Sequence, residues 1–366
     1  MSAGQARVGE HPPEPHPPHF AERQYPPDAA GPDAAGEWRA PFELDLRRTL
    51  GVHARGRGDP TYRVAADNSI WRTSHTPEGP ATIRVSVAGP ASARSADPPP
   101  ARTAGLPASA RSGDRGVPGG RPTGLVQAWA WGPGASWLLG MVPAALGALD
   151  DRGGFNPVHP VLRELSTRFP GVRVGRTGRV FEALAPAVLE QKVVGVEARR
   201  AWRYLVLRFG APAPGPAPAG MRVPPPAVAW RRIPSWEWHR AGVEGVRART
   251  IIGAAEVAGR LEEIVAMSSA DADRRLRSLP GIGVWTSAEV RQRACGDADA
   301  VSVGDYHLPA RVGWALAGRV VDDAGMLELL APYPGHRHRA ARLIELSGLA
   351  PPRRGPRMSV RDYRSF

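Results

Sequence analysis

The chain has 366 residues, enough for two or three domains that each bury a hydrophobic core. A formal net charge of +13 and a sequence pI of about 11.0 favour a polyanionic partner, although a coding bias toward arginine, alanine, glycine and proline produces the same composition. The single cysteine, Cys295, excludes an intrachain disulfide, a cysteine-ligated zinc site and a four-cysteine iron–sulfur cluster, and without a long apolar run or a signal peptide a cytoplasmic protein is expected.

The first part of the chain combines low-complexity segments with short predicted strands. Residues 1–40 are rich in proline, histidine, alanine and glycine without apolar periodicity, which predicts a disordered tail. Alternating patterns and turn signals in residues 41–150 predict a β-rich domain, with strands at FELDLRRTL, TYRVA, SIWRTS, ATIRVSVAG and GLVQAWAWG. The low-complexity stretch 90–122 is predicted to be a surface loop inserted in this domain, with contact between its arginines and DNA as the weaker alternative.

The second part of the chain, residues 151–350, is predicted to be helical. Apolar residues recur at spacings of three and four in HPVLRELSTRF, FEALAPAVLEQ, VEARRAWRYLVLRFG, ARTIIGAAEVAGRLEEIVAM and DADRRLRSL. The linker APAPGPAPAG divides this region, and residues 351–366 form a basic C-terminal tail. The expected fold class is therefore α+β, with a small β-rich domain followed by an all-α domain.

The segment SLPGIGVWTSAEV predicts a tight turn between two helices at residues 279–286. Gly281 and Gly283 permit such a turn, and their backbone N–H groups can bind a DNA phosphate without contacting a base. The carbonyl groups of the turn can also hold a monovalent cation that bridges to the phosphate. The motif alone fits an ordinary turn between two packed helices equally well.

Asp305 follows this turn, 20 positions after Trp285, in the segment VSVGDYHLP. Pro309 suits only the first turn of a helix, so Asp305 is predicted to lie in the loop or cap directly before one. Backbone N–H groups at such a position favour the charged form of a carboxylate. The position alone also fits a plain helix cap, but its spacing from the glycine turn favours a catalytic carboxylate.

Together these segments resemble the helix-hairpin-helix DNA glycosylase superfamily, and within it the DNA-3-methyladenine glycosylase II family. The resemblance covers about residues 42–89 and 125–349 and rests on FEALAPAVLEQKVV, IPSWEWHRAGVEGVRART, LPGIGVWT, VSVGDYHLP and APYPGHRHRAARLI. It implies an N-terminal domain of TATA-binding-protein-like topology, followed by two helical lobes with the active-site cleft between them. It also implies that the partner is double-stranded DNA containing a damaged base.

The resemblance implies a role for each matching residue. Asp305 matches the catalytic aspartate and Trp285 an aromatic residue of the base pocket, while Glu289 lies where some relatives have a second pocket aromatic. The implied DNA-binding residues belong to the hairpin and to LEQKVV: Gly281, Ile282, Gly283, Thr286, Gln191 and Lys192. Lysine departs from the family pattern at the wedge that fills the gap left by the flipped nucleotide, but its alkyl stem can fill the space while its ammonium group meets a phosphate.

The implied activity is that of a monofunctional glycosylase for alkylated bases of the 3-methyladenine and 7-methylguanine type. We expect a cytoplasmic, nucleoid-associated monomer with no metal, no required cofactor and no membrane partner. If Asp305 is not the catalytic carboxylate, Asp299 is the next candidate. One alternative is a bifunctional glycosylase/lyase, but such relatives have a lysine where this chain has Trp285. The other is a non-catalytic DNA-binding protein, which would not need Asp305. His336 and His338 lack the cysteine or carboxylate pattern of a metal site.

Overall fold

The computed structural model describes residues 21–23, 31–88 and 124–352. Its strands are β1 (Ala21–Arg23), β2 (Ala34–Arg39), β3 (Tyr62–Val64), β4 (Ile70–Thr76), β5 (Gly79–Ala88), β6 (Leu125–Trp131), β7 (Ala211–Pro212) and β8 (Arg222–Val223). Its helices are α1 (Leu46–Leu50), α2 (Ala135–Gly140), α3 (Val142–Ala145), α4 (Pro160–Arg168), α5 (Val180–Leu189), α6 (Gly195–Phe209), α7 (Ala227–Arg231), α8 (Ser235–Ala241), α9 (Gly245–Glu256), α10 (Ala258–Glu262), α11 (Ser269–Arg277), α12 (Val284–Val290), α13 (Leu308–Ala317), α14 (Asp323–Leu330) and α15 (Arg337–Ser347). The expected α+β fold, with a β-rich domain before a helical one, is confirmed.

The N-terminal domain is built on an antiparallel sheet with the strand order β1-β2-β6-β5-β4-β3. Strands β3 to β6 lie at four of the five predicted strand segments. The buried face of the sheet packs against α2, where Leu138 and Leu139 contact a layer of alternating strand residues that includes Ile83, Val85 and Ala128. Burial of one face against a helix is what fixes the register of these strands.

The two strands on either side of the low-complexity stretch are direct neighbours in the sheet. In the β5–β6 register, Ala88 lies opposite Leu125. The sequence between them therefore joins the ends of an antiparallel pair. The predicted insertion 90–122 itself lies outside the described residues, as do most of the predicted N-terminal tail and nearly all of the basic C-terminal tail.

Two predictions for the N-terminal region are wrong. FELDLRRTL contains helix α1 instead of a strand, because Asp45 caps this helix by accepting the N–H of Arg48 on Oδ1 at 2.8 Å. Residues 1–40 are not disordered throughout, since β2 pairs with β6 along its whole length. Ala35 and Trp38 are buried in the sheet, and this pairing with a distant strand has no counterpart in the local pattern of AAGEWR.

The linker between the helical segments is docked against the sheet. The first two residues of the linker form strand β7, which pairs with β8 just after the linker in a short two-stranded ribbon. The next residue after APAPGPAPAG, Met221, packs with Trp71 and Trp131, whose rings stack with centroids 5.4 Å apart. This cluster attaches the β-rich domain to the helical region.

The helical region has two hydrophobic cores. The first contains α5, α6 and the helices from α7 to α12, and the second contains α4 and the helices from α13 to α15. The long helix predicted from ARTIIGAAEVAGRLEEIVAM is divided near Val257 into α9, α10 and a 3₁₀ turn at Glu263–Ala266. Among the described helices, none is long and apolar enough to cross a lipid bilayer. The connection from α12 to α13 passes from the first lobe to the second, and the candidate site lies along it.

Candidate active site

The glycine turn between α11 and α12 has the tight geometry predicted for it. Gly281 adopts a positive φ of +85°, and a Cβ atom there would lie 2.1 Å from Oγ1 of Thr250, so only glycine fits. Ile282 donates its N–H to the carbonyl of Leu279 at 3.1 Å and buries its side chain in the core of the first lobe. Gly281 and Gly283 are exposed on the surface of the turn.

The α5–α6 loop supports this turn from the side. Nε2 of Gln191 donates to the carbonyl of Gly281 at 2.9 Å and to Oγ1 of Thr286 at 2.8 Å. Lys192 follows, exposed and with a positive φ of 53°, a conformation that costs a non-glycine residue about 1–2 kcal/mol. The structure thus places Gln191, Lys192 and the hairpin side by side.

Two of the predicted DNA-binding residues have side chains on the inner side of the turn. The side chains of Ile282 and Thr286 are buried, so they hold the turn from within and do not reach its surface. Ile282 packs into the core of the first lobe, and the hydroxyl of Thr286 accepts the side-chain amide N–H of Gln191 at 2.8 Å. Any DNA contact at these two positions has to come from the backbone.

Asp305 lies directly before α13, as the position of Pro309 predicts. Its Oδ1 accepts the N–H groups of His307 at 2.8 Å and of Leu308 at 2.9 Å. Its Oδ2 accepts the indole N–H of Trp285 at 3.2 Å. These three bonds fix the carboxylate in one orientation and bring together two residues that lie in different lobes.

Asp305 and Trp285 line a cavity of about 350 Å³ between the lobes. Further walls come from the segment after α1, from α12 and the π-helical turn at Arg291–Cys295 that continues it, and from α15. π-Helical turns of this kind are frequent at functional sites. The cavity is lined mainly by polar and charged side chains, among them Arg55, Glu190, Glu289, Gln292, Arg293, Ser302, His338, Arg342 and Glu345.

Glu289 lines this cavity, and its carboxylate is engaged with protein groups. Oε2 contacts the guanidinium of Arg293 at 2.7 Å, and Oε1 accepts the hydroxyl of Ser302 at 2.6 Å. Burial alone would raise the pKa of Glu289, but the charges of Arg293 and Arg55 together with the Ser302 bond outweigh it and lower that pKa. Glu289 is therefore an anionic wall residue with a fixed partner.

The carboxylates of the cavity differ in their charge partners. Glu190 has Arg55 at 3.2 Å, Glu289 has Arg293 at 2.7 Å, and Glu345 has Arg342 at 3.4 Å. Asp305 forms no ion pair with any described residue. The cavity thus presents one carboxylate whose charge is not neutralised by an adjacent cation.

Asp299, the alternative candidate, is placed differently. Its carboxylate forms a bidentate ion pair with the guanidinium of Arg337. Although burial raises the pKa of Asp299, its hydrogen bonds with Arg337 lower that pKa overall. Within the described residues, no group of three histidine, cysteine or carboxylate side chains is arranged to hold a metal ion.

The sequence did not indicate the wall formed by α15. His338, Arg342 and Glu345 all line the cavity, and their spacings of four and three residues place them on one face of the helix. That spacing was readable in RHRAARLIELS, but polar residues on a helix face ordinarily face solvent. Only the docking of the second lobe shows that this polar face is enclosed.

Comparison with known proteins gives matches at the level of structure. No protein-family model matches the sequence, and no curated protein is significantly similar to it. A 3-methyladenine DNA glycosylase from Archaeoglobus fulgidus matches with a TM-score of 0.60 and 17% identity, over 85% of this chain and 98% of that chain.

A second solved protein, the Clostridium acetobutylicum 8-oxoguanine glycosylase/lyase, matches in two states. Its apo form gives a TM-score of 0.59 and 10% identity over 90% of this chain and 98% of that chain. Its complex with double-stranded DNA containing cytosine opposite 8-oxoguanine gives a TM-score of 0.58 and 10% identity over 89% and 95% of the two chains. This chain therefore has the overall fold of these solved DNA glycosylases.

Proposed function

We propose that this protein is a DNA glycosylase that removes a damaged base from duplex DNA, with Asp305 as its catalytic carboxylate. The observation that carries the proposal is the set of contacts that this side chain makes. Asp305 is oriented by three hydrogen bonds at the edge of an inter-lobe cavity, and it forms no ion pair with a described residue while the three glutamates of the cavity do. The shared fold with solved DNA glycosylases supports the same reaction.

The proposed reaction is hydrolysis of the bond between C1′ of the sugar and a base nitrogen. As this bond breaks, its electron pair leaves with the base and positive charge develops on the sugar ring. The carboxylate of Asp305 stabilises this charge and orients or deprotonates a water molecule, whose oxygen then bonds to C1′. A purine alkylated at N3 or N7 already carries a positive charge in the nucleoside, so it leaves as a neutral base, and the proton lost by the water passes to Asp305 or to solvent. Trp285, held by Asp305, supplies an aromatic surface beside the extruded base.

The proposed substrates are alkylated purines of the 3-methyladenine and 7-methylguanine type. A charge pair at ~4 Å with an effective dielectric constant of ~20 is worth about 4 kcal/mol. This corresponds to roughly a thousandfold in rate, which suffices for a base that already leaves easily. Alkylation at N3 or N7 puts positive charge on the base within the nucleoside and so weakens this bond.

DNA binding is proposed to use the hairpin and the adjacent loop. The exposed backbone at Gly281 and Gly283 is available to a phosphate, and Lys192, exposed in the adjacent loop, would enter the gap left by the flipped nucleotide. The strained backbone of Lys192 fits a functional position, because such strain persists only where the surroundings hold it. A monovalent cation on the hairpin carbonyls is compatible with this mode, although Gln191 already occupies the carbonyl of Gly281.

The proposed enzyme is monofunctional. A lyase step requires an amine that forms a Schiff base with the sugar, and Lys192 is the only lysine in the chain. Trp285, which follows the hairpin at the position of the lyase lysine, cannot form one. We further propose that the protein acts as a monomer on chromosomal DNA in the cytoplasm and needs no cofactor for this step.

The proposal is tested by release of free base from alkylated duplex DNA. Purified protein should release methylated purines and leave abasic sites, whereas Asp305→Asn should not. The matched control is Asp299→Asn, which makes the same chemical change at a carboxylate paired with Arg337. Duplex binding without release of any base would instead identify a non-catalytic DNA-binding protein.

A further inference from the structure

Helix α15 presents a polar face to the cavity. His338, Ala341, Arg342 and Glu345 all line it. Arg342 and Glu345 contact each other at 3.4 Å. His338 is different, because its imidazole forms no hydrogen bond with another described residue although it is partly buried beside the charged groups of the cavity. Its ring nitrogens are therefore open to a hydrogen bond with water or with a ligand in the cavity.

The charge state of His338 follows from its surroundings. Burial and the nearby cations Arg342 and Arg293, against the opposing effect of Glu289 and Asp297, together lower the pKa of His338 to about 3. The ring is therefore neutral near pH 7. A neutral imidazole carries one N–H donor and one acceptor nitrogen. It is unsuited to act as a general acid there, because the acidic proton of the imidazolium form is absent and the remaining N–H is only a hydrogen-bond donor.

The neighbouring His336 shows what a structural histidine looks like in the same helix region. Its Nδ1 accepts the guanidinium N–H of Arg339 at 3.2 Å, and its ring packs against Phe155 with centroids 5.5 Å apart. Those contacts account for His336 within the second lobe. No comparable contact accounts for the imidazole of His338.

We propose that His338 hydrogen-bonds to the edge of the extruded base and helps to determine which bases are excised. The inference rests on the proposed function and deepens it. A base with a complementary donor or acceptor supplies the hydrogen bond that no described residue supplies to the imidazole. A base without such a group leaves a polar side chain unpaired in an enclosed site, and sites of this kind reject such analogues strongly.

The test uses the full chain and two substitutions. His338→Phe keeps the size and planarity of the ring but removes both nitrogens, whereas His338→Gln keeps a donor and an acceptor. Single-turnover excision is measured at saturating enzyme on duplexes with 7-methylguanine, 3-methyladenine, hypoxanthine or 8-oxoguanine. Affinity is measured separately for a duplex with a tetrahydrofuran abasic analogue, which has no base for His338 to contact. His239→Phe makes the same change at an exposed histidine on α8.

The expected result is a loss that depends on the base. His338→Phe should slow excision of the best substrate at least tenfold and by unequal factors across the panel, with abasic-duplex affinity within twofold of wild type. His338→Gln should recover part of the rate, and His239→Phe should match wild type. If His338→Phe does not fold, the relative excision rates of His338→Gln on the four bases test the inference instead. The amide of glutamine places its donor and acceptor at other positions than the imidazole, so the order of preference among the bases should change.

Three outcomes overturn the inference. Equal rates for wild type and His338→Phe on every base would show that the imidazole contacts none of them. A uniform loss that is matched by weaker abasic-duplex binding or a lower unfolding temperature would show a structural role. If wild-type protein excises no base of the panel, the proposed function fails and the inference fails with it, whereas the first two outcomes leave the proposed function standing.

Discussion

Replacing Asp305 by asparagine is the most direct perturbation of the site because it removes charge with little change in shape. The amide oxygen of asparagine can take the place of Oδ1 and keep the bonds from the N–H groups of His307 and Leu308. The amide nitrogen then faces the indole N–H of Trp285, and both groups are donors. The variant should therefore fold with its helix cap intact but with one hydrogen bond lost.

The size of the effect on catalysis follows from these two changes. Loss of the carboxylate removes about 4 kcal/mol of charge stabilisation, from a pair at ~4 Å with an effective dielectric constant of ~20. The lost hydrogen bond to Trp285 adds a cost of about 0.5–1.5 kcal/mol, because the side chain is held less firmly in its position. Together they predict that the single-turnover rate falls by at least roughly a thousandfold. Affinity for lesion-containing duplex should stay within a few fold, because the hairpin is unchanged.

The assay is single-turnover release of methylated purine, with binding to the same duplex measured in parallel. Asp299→Asn is the matched charge control, and Trp285→Phe isolates the lost indole bond while it keeps an aromatic ring. Near-normal turnover of Asp305→Asn would refute the reasoning and move catalysis to another carboxylate. If Trp285→Phe were as inactive as Asp305→Asn, orientation instead of charge would be the dominant contribution.

The remaining predictions concern DNA binding, chemistry and stability. Affinity for undamaged duplex should fall linearly with salt in a log–log plot, and deletion of Pro90–Arg121 should change neither this slope nor excision; a large loss would place the insertion in the DNA site. Borohydride added during excision should trap little protein on DNA, and efficient trapping that disappears in Lys192→Ala would reveal a lyase. Glu289→Gln leaves Arg293 without its carboxylate and should lower the free energy of unfolding by about 3 kcal/mol in urea titrations; an unchanged midpoint would contradict the buried pairing. The pKa of His338 is lowered to about 3 in the folded protein, so below the ordinary histidine pKa of about 6.5 the unfolded chain binds a proton that the folded protein does not. Stability should therefore fall by about 1.4 kcal/mol per pH unit below that value, and His338→Phe should reduce this slope. An identical slope in the variant would place the acid sensitivity elsewhere.

The parts of the site that were predictable from sequence are those encoded by local motifs. The turn at Gly281 and Gly283 needs glycine for its own backbone, and Asp305 caps the helix that starts three residues later. Trp285 could be paired with Asp305 only through the resemblance, since their indole–carboxylate bond joins two lobes.

The cavity walls were not predictable, because they form from segments far apart in the chain. Arg55 meets Glu190 across 135 positions, and the polar face of α15 becomes a wall only when the lobes dock. The same reason explains the missed strand β2, whose partner β6 lies beyond the insertion. Glu289 and Arg293 have the i, i+4 spacing of helix neighbours, but their burial in the cavity and the π-helical turn that contains Arg293 were not indicated by the sequence pattern.

The placement of Lys192 has a practical consequence for chemical labelling. As the only lysine of the chain, it is the one side-chain amine available to an amine-reactive dye, and it lies exposed beside the hairpin. A dye on this side chain would report on the approach of duplex DNA to the hairpin and the cavity. All the other residues among the 48 lysines and arginines are arginines, which do not react with such reagents, so Lys192 is the only side chain that takes the label.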